Sequence, residues 1–121
     1  MPEADAEGMV QVQLLQVTTR SHARHTVLTL SGELDVTSMD DLCGHLRAAC
    51  RTRGDRIVLD LSRLTFIDSS GLSILVEYDA AIRGTGGALA LVSPRSQVSK
   101  ALSVTGLNRR LTVHERLEDA V

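Results

Sequence analysis

Two segments near the start of the chain are predicted to be strands, and the first of them alternates apolar and polar residues, which is the pattern of a strand with one buried face. The first, Val10–Thr18, has an apolar residue at every second position as far as Leu14. After a polar turn over Thr19–His25, the second segment, Thr26–Leu30, is predicted to be its hairpin partner. The run Gly32–Asp35 is expected to end this hairpin.

Three later segments have apolar residues three or four positions apart, which is the spacing of amphipathic helices. The apolar stripes are Met39, Leu42, Cys43, Leu46, Ala49 and Cys50 in the first, Leu72, Leu75, Val76 and Ile82 in the second, and Val98, Ala101 and Leu102 in the third. Thr37 or Ser38 can cap the first helix, and Ser93-Pro94 has the order expected where the third begins. Gly106 is placed to end the third helix.

Short apolar runs between these helices predict strands of the kind that are buried on both faces of a sheet. They are Ile57–Leu59, Ala88–Val92 and Leu111–Val113, and the tail after them is predicted to form one helical turn. The order β-β-α-β-α-β-α-β predicts an α/β fold, with a small, mixed and mostly parallel sheet and packed helices. We expect one domain over residues 10–121, after a disordered polar lead-in over residues 1–9.

The net charge of the chain does not alter the predicted fold, but it argues against some classes of partner. Its 121 residues include 13 basic and 15 acidic side chains, for a formal net charge of −2, without a long basic run. Nucleic-acid binding needs a basic surface and often exposed rings, and here the only phenyl rings are those of Phe66 and Tyr78. No apolar run approaches the length of a membrane span, and the acidic first residues do not resemble a signal peptide. We therefore expect a cytoplasmic protein that binds neither nucleic acid nor membrane.

Motifs for catalysis, cofactors and metals are absent from the sequence. It contains neither of the common glycine-rich phosphate loops nor the glycine pattern of a nucleophile elbow. Its histidines lack the spacing of a metal site, so we expect no metal ion and no cofactor. Cys43 and Cys50 would lie about 10 Å apart along the predicted first helix, which is too far for a disulfide, and are expected to be free thiols.

The segment Asp68-Ser69-Ser70-Gly71 remains as the candidate site, at the start of the predicted second helix. An aspartate followed by two serines is most often a helix cap. The same hydroxyl groups could accept a phosphate, because the positive end of the helix would tolerate its charge. The residues alone leave both interpretations open.

The chain resembles a known family in this segment and in three others. The run Ile57–Leu72 is similar to the signature of the STAS domains of bacterial anti-sigma factor antagonists. Three further pieces match in order, namely Gly32–Asp35, Gly86-Gly87 and Thr105–Leu107. The resemblance covers Val10 to Val113, which is nearly the whole predicted domain.

The resemblance implies a function and a set of site residues. Ser69 matches the phosphorylated serine, and Ser70 and Gly71 match the two positions after it. Gly71 is expected to leave room for a partner or for the phosphate oxygens. Asp35 matches an acidic position that helps to engage the kinase, and Asp68 completes the expected partner-binding set.

The implied mechanism is partner switching without catalysis by this chain. The unphosphorylated domain would bind an anti-sigma factor that is also a serine kinase, and so free a sigma factor. Phosphorylation would block this binding, and a serine phosphatase would restore it. The oligomeric state is left open.

Three alternatives remain at this stage. A STAS domain could instead be a scaffold or a subunit of another signalling or lipid-transport complex. A phosphoaspartate receiver could use Asp60 at the end of a predicted strand, but its only lysine, Lys100, falls within a helix pattern. A small hydrolase could use Ser69 or Ser70, although no histidine is tied to either by the sequence.

Overall fold

One mixed sheet of five strands runs through the computed structural model, which describes residues 14–52, 56–93 and 96–121. The strands are β1 (Gln16–His22), β2 (His25–Leu34), β3 (Arg56–Ile67), β4 (Ala88–Val92) and β5 (Thr112–His114). They lie side by side in chain order; β1 pairs with β2 antiparallel, and the other neighbours are parallel. The predicted α/β class, with a small and mostly parallel mixed sheet, is confirmed.

Three longer helices alternate with the parallel strands in the predicted order. They are α1 (Met39–Thr52), α2 (Ser69–Gly84) and α3 (Gln97–Val104). A 3-10 turn over Val36–Ser38 leads into α1, and the single-turn helices α4 (Leu107–Arg110) and α5 (Leu117–Ala120) come before and after β5. The predicted helical turn in the tail is α5.

The two faces of the sheet are covered unequally. The larger core joins one face to α1, α2 and α3 through almost fully buried side chains: Leu28, Leu30, Leu34, Leu42, Leu46, Leu59, Leu75, Leu91, Val98 and Leu102. On the other face, Val27, Val58 and Val92 form a smaller core against Leu117 and Ala120 of α5. The helices therefore cover one side of the sheet, while the other side is only partly covered.

The predicted hairpin is confirmed, but its turn is much shorter than expected. Strand β1 continues to His22, so the turn consists of Ala23 and Arg24, and the predicted polar turn over Thr19–His25 was wrong. Almost every residue of β1 is exposed, because it is an edge strand whose pairing depends on backbone hydrogen bonds rather than on an apolar face. Residues 1–13, with the predicted lead-in and the start of the first predicted strand, lie outside the described residues.

Strand β3 is also longer than predicted and extends from Arg56 to Ile67. The prediction stopped at Leu59 because polar residues follow, and these residues lie on or near the less covered face. The pairing of β2 with β3 shifts register at two places, one of them at Gly32, whose φ of 94° a side chain would disfavour. Gly32 is thus an irregularity within β2, and the strand ends at Leu34, inside the run Gly32–Asp35 that was expected to end the hairpin.

The predicted start of α3 needs a correction as well. The helix begins at Gln97, and the Ser96 side chain caps it by accepting a hydrogen bond from the Ser99 backbone N–H at 3.3 Å. Pro94 lies outside the described residues. Gly106 follows the helix with a φ of 77°, which confirms its predicted place at the end of α3.

Candidate functional site

The two acidic residues of the predicted site follow directly after neighbouring strands. Leu34 and Ile67, the last residues of β2 and β3, are paired across the sheet. The backbone N–H of Asp68 donates a hydrogen bond to the carbonyl oxygen of Leu34 at 3.2 Å. Asp35 and Asp68 are therefore next to each other at the carboxyl edge of the sheet, although 32 residues lie between them in the sequence.

Asp35 organises the turn that leads into α1. Its carboxylate accepts hydrogen bonds from the backbone N–H of Thr37 at 3.0 Å and from the Thr37 hydroxyl at 2.6 Å. Its own N–H donates to the hydroxyl oxygen of Ser38 at 3.0 Å, which completes a capping box. Asp35 therefore caps the 3-10 turn that leads into α1, and this turn contains Thr37 and Ser38, the two residues predicted as caps.

These hydrogen bonds also determine the charge at this position. The hydroxyl of Thr37 contributes most to holding the pKa of the Asp35 carboxyl below its usual value, although burial acts in the opposite direction. The backbone N–H groups of Thr37 and Ser38 lower the pKa further. Asp35 therefore presents a fixed negative charge at neutral pH.

The side chain of Asp68 caps the N-terminus of α2. Its extended backbone precedes the helix, and its carboxylate accepts a hydrogen bond from the Gly71 N–H at 3.0 Å. Ser69 is the first residue of α2 and is exposed, while Ser70 is half-buried. The residue of this segment that caps the helix is therefore Asp68. The Ser69 side chain takes no part in the cap and is accessible to a partner.

Gly71 was expected to face a partner or the phosphate oxygens, but it packs against the core. It is buried, and a Cβ atom added there would lie 2.7 Å from Cγ1 of Ile67 and 2.9 Å from Cγ of Leu34. The missing side chain would therefore point into the core and not toward a partner or a phosphate. Gly71 allows the first turn of α2 to pack closely against the ends of β2 and β3.

Two grooves adjoin the acidic edge. One lies beside Ser69 and is lined by Leu72, Ser73, Val76 and Glu77 of α2, with Thr105 and Leu107 opposite. The other lies beside Asp35 and is lined by Leu14, Leu15, Glu33, Thr37, Ser38 and Asp41. The second groove therefore combines three carboxylates with two leucines.

Exposed apolar side chains around this edge were not identified from the sequence. Leu14 is 78% exposed, Val36 66%, Phe66 39% and Val104 77%. Val36 follows Asp35, Phe66 lies two residues before Asp68, and Val104 precedes a residue of the groove beside Ser69. Single exposed apolar residues are common on protein surfaces, and it is a contiguous apolar patch that marks an interaction surface. Val36, Phe66 and Val104 lie outside the predicted apolar stripes, so no period could identify them. Leu14 is instead part of the apolar face of the first predicted strand.

The arrangement gives no support to the catalytic alternatives. In the described part of the chain, no hydrogen bond joins Ser69 or Ser70 to a histidine, and no group of three potential ligands could hold a metal ion. Asp60 lies within β3, not at its end, and its carboxylate accepts a hydrogen bond from the N–H of Ser62 at 3.0 Å. The premise of a receiver site at the end of that strand was therefore wrong.

No helix in the described ranges has both the length and the apolar character needed to cross a membrane.

Comparisons with known proteins agree on one family. A family model, described as STAS domain, matches residues 16–120. The chain is 30% identical over 108 residues to the anti-sigma F factor antagonist of Paenibacillus polymyxa, covering 88% of this chain and 92% of that protein.

The fold is shared with solved structures. A crystal structure of an anti-sigma factor antagonist from Mycobacterium paratuberculosis has a TM-score of 0.81 at 24% identity, over 88% of this chain and 91% of the other. The Bacillus cell fate determinant SpoIIAA in its phosphorylated form has a TM-score of 0.65 at 21% identity, over 88% and 96% of the two chains.

Proposed function

The chain belongs to the STAS domain family, and on that basis we propose that it is an anti-sigma factor antagonist switched by phosphorylation of Ser69. Like the relatives named as antagonists, it is a binding regulator and not an enzyme. In its unphosphorylated form it binds an anti-sigma factor with serine kinase activity and frees a sigma factor. A serine phosphatase reverses the modification. The STAS domain that carries this function extends over residues 10–121.

The observation that carries this proposal is the position of Ser69. It is the exposed first residue of α2, beside a groove on one side and close to the acidic edge with Asp35 and Asp68 on the other. A kinase can therefore reach the hydroxyl, and a partner that covers the exposed apolar groups nearby also covers Ser69. One modification at this point changes the whole contact surface.

The fold is compatible with a phosphate at this position. The first turn of a helix has backbone N–H groups without partners inside the helix, and its dipole favours negative charge. A phosphate on Ser69 would lie at that end of α2, so the domain can remain folded while its surface gains nearly two negative charges. SpoIIAA, which shares this fold, has a phosphorylated form.

The direct test mixes the purified chain with a complex of the anti-sigma factor and its sigma factor. The serine kinase gene nearest to that of this chain supplies the candidate partner. We expect the unmodified chain to bind the anti-sigma factor and release the sigma factor, as followed by size-exclusion chromatography. Retention of the sigma factor at saturating concentrations of the chain would contradict the proposal.

Asp35→Asn is expected to weaken the kinase interaction by about tenfold, as loss of a charge-assisted contact would. Asparagine also caps helices well, so the thermal unfolding midpoint should change little. Phosphorylation rates and a binding titration measure the effect. Asp40→Asn removes the same charge from an exposed position of the first turn of α1 and serves as the control. Equal effects of the two variants would assign the loss to net charge alone.

Val36→Ser and Val104→Ser are each expected to reduce affinity for the anti-sigma factor by about fivefold to tenfold, as truncation of an apolar interface group does. Both side chains are largely exposed in the free domain, at 66% and 77%, so stability should be almost unchanged. Affinity is measured by calorimetry and stability by thermal unfolding. Unchanged affinity in both variants would place the interface elsewhere.

A further inference from the structure

A separate groove lies between the C-terminal halves of α1 and α2. Its volume is about 550 Å³, within the range of small-molecule sites, and residues of both helices line it. Ile82, one of these residues, follows Ser69 by 13 positions along α2, which corresponds to about 20 Å of helix. The groove is therefore distinct from the surface proposed to bind the anti-sigma factor.

The walls of this groove are mainly apolar and uncharged. Cys50 of α1 lines the groove together with Tyr78, Ala81 and Ile82 of α2. Burial raises the pKa of the Cys50 thiol. Burial is also the main cause that raises the pKa of the Tyr78 phenol, followed by its contact with Cys43, while the neighbouring Arg47 guanidinium lowers this pKa. Both groups therefore stay neutral at physiological pH and bring no negative charge to the groove.

Thr85 and two arginines complete the lining, and the arginines bring two positive charges. Arg47 and Arg51 are four residues apart on α1, so they lie on the same face of the helix. Among the described residues, neither guanidinium group forms a salt bridge with a carboxylate, and no acidic residue lines the groove. The groove thus has an apolar wall, two cations on one side and no anion to balance them.

We propose that this groove binds a fatty acid. The carboxylate would pair with Arg47 and Arg51, and the hydrocarbon chain would cover Cys50, Ala81 and Ile82. A free phosphate would leave the apolar wall exposed, while an uncharged lipid would leave both guanidinium groups without an anion. An acidic peptide fits less well, because the backbone groups of two helices are already hydrogen-bonded and offer it no partners.

Decanoate, used below its micellar concentration, is the probe for this proposal. Calorimetry should show saturable binding to the full chain, with decanol at least about tenfold weaker and decyltrimethylammonium weaker still. The double variant Arg47→Gln, Arg51→Gln should lose about tenfold or more in affinity. Ala81→Glu, which places a carboxylate in the groove at an exposed position, should also abolish binding.

Matched controls distinguish the groove from general effects. Ala80→Glu adds the same charge at the neighbouring exposed position, which is not part of the groove lining, and Arg63→Gln removes a guanidinium from the less covered face of the sheet. Both should bind decanoate like the unmodified chain. In the unmodified chain, amide NMR shifts on decanoate binding should centre on Cys50, Ala81 and Ile82.

Three results would overturn the proposal. The first is equal affinity for decanoate and decanol, which would show that the arginines do not bind the carboxylate. The second is NMR shifts centred on Ser69 or Asp35 instead of the groove. The third is binding of a hexaglutamate peptide at the groove with no binding of decanoate, which would assign the site to an acidic protein segment.

Discussion

Phosphorylation of Ser69 is expected to lower the affinity for the anti-sigma factor by at least about tenfold, a difference of about 1.4 kcal/mol. The exposed hydroxyl lies beside one groove and close to the acidic edge of the sheet, which form the proposed contact surface. A partner that packs against a neutral serine would have to take the added phosphate out of water. Removing that doubly charged group from water without a cation would cost several kcal/mol, which exceeds the change needed.

Three variants separate charge from the loss of the hydroxyl. Ser69→Ala should bind the anti-sigma factor like the unmodified domain and should not respond to the kinase. Ser69→Asp should bind more weakly than Ser69→Ala, but less weakly than the phosphorylated chain, because one carboxylate carries less charge than a phosphate. Ser70→Ala should still accept phosphate. Calorimetry and mass spectrometry after kinase treatment measure these outcomes.

A control at the opposite end of the sheet tests whether position matters. Ser21 is exposed and pairs with Thr26 near the start of β2, whereas Asp35 follows the end of that strand. Ser21→Asp adds the same charge as Ser69→Asp and should leave affinity unchanged. Phosphate found on a residue other than Ser69, or full affinity of Ser69→Asp, would contradict the proposed switch.

The sequence predicts those elements whose buried face creates a period. The stripe containing Leu42 and Leu46 identifies α1, and the apolar run Ala88–Val92 identifies β4 with its observed bounds. It fails for β1 and for the second half of β3, because their polar side chains lie on exposed or less covered surfaces. Burial creates the pattern. Strand β1 is exposed at almost every position, and in the second half of β3 the buried residues Leu61, Leu64 and Ile67 are three positions apart, which is not the alternation of a strand.

The candidate site shows a similar limit. Asp35 and Asp68 are each visible in the sequence as residues before a helix, but their proximity depends on the register between β2 and β3. That register contains two shifts, which no local pattern predicts. Only the resemblance to a known family connected Asp35 with Ser69 before the structure did. The apolar residues Val36 and Val104 were missed because single exposed residues have no period.

Gly71 shows how one position supports both the fold and the site, and Gly71→Ala is expected to destabilise the domain by about 1–3 kcal/mol. The new Cβ would lie within 3.0 Å of both Leu34 and Ile67, which are buried. Alanine favours a helix over glycine by up to about 1 kcal/mol, but the steric conflict is larger. Urea unfolding of the full chain measures the difference.

Two other helical glycines provide matched controls with the opposite sign. A Cβ added at Gly44 in α1, or at Gly84 at the end of α2, meets no atom within 4 Å. Gly44→Ala should therefore be neutral or stabilising by up to about 1 kcal/mol, and Gly84→Ala should change stability less, because it is the last residue of its helix. A Gly71→Ala domain as stable as these controls would contradict the close packing.

Gly71→Ala should also affect the phosphorylation of Ser69. The Gly71 N–H is held by the Asp68 carboxylate, and the Asp68 N–H is held by the carbonyl oxygen of Leu34. The atoms in conflict are side-chain atoms of Ile67 and Leu34 in the packed core, and any part of the conflict relieved by a backbone shift moves the first turn of α2, which includes Ser69. At a temperature where Gly71→Ala is still folded, we expect slower phosphorylation of Ser69 than in Gly84→Ala. Equal rates in the two folded variants would mean that the kinase does not depend on how this turn is packed.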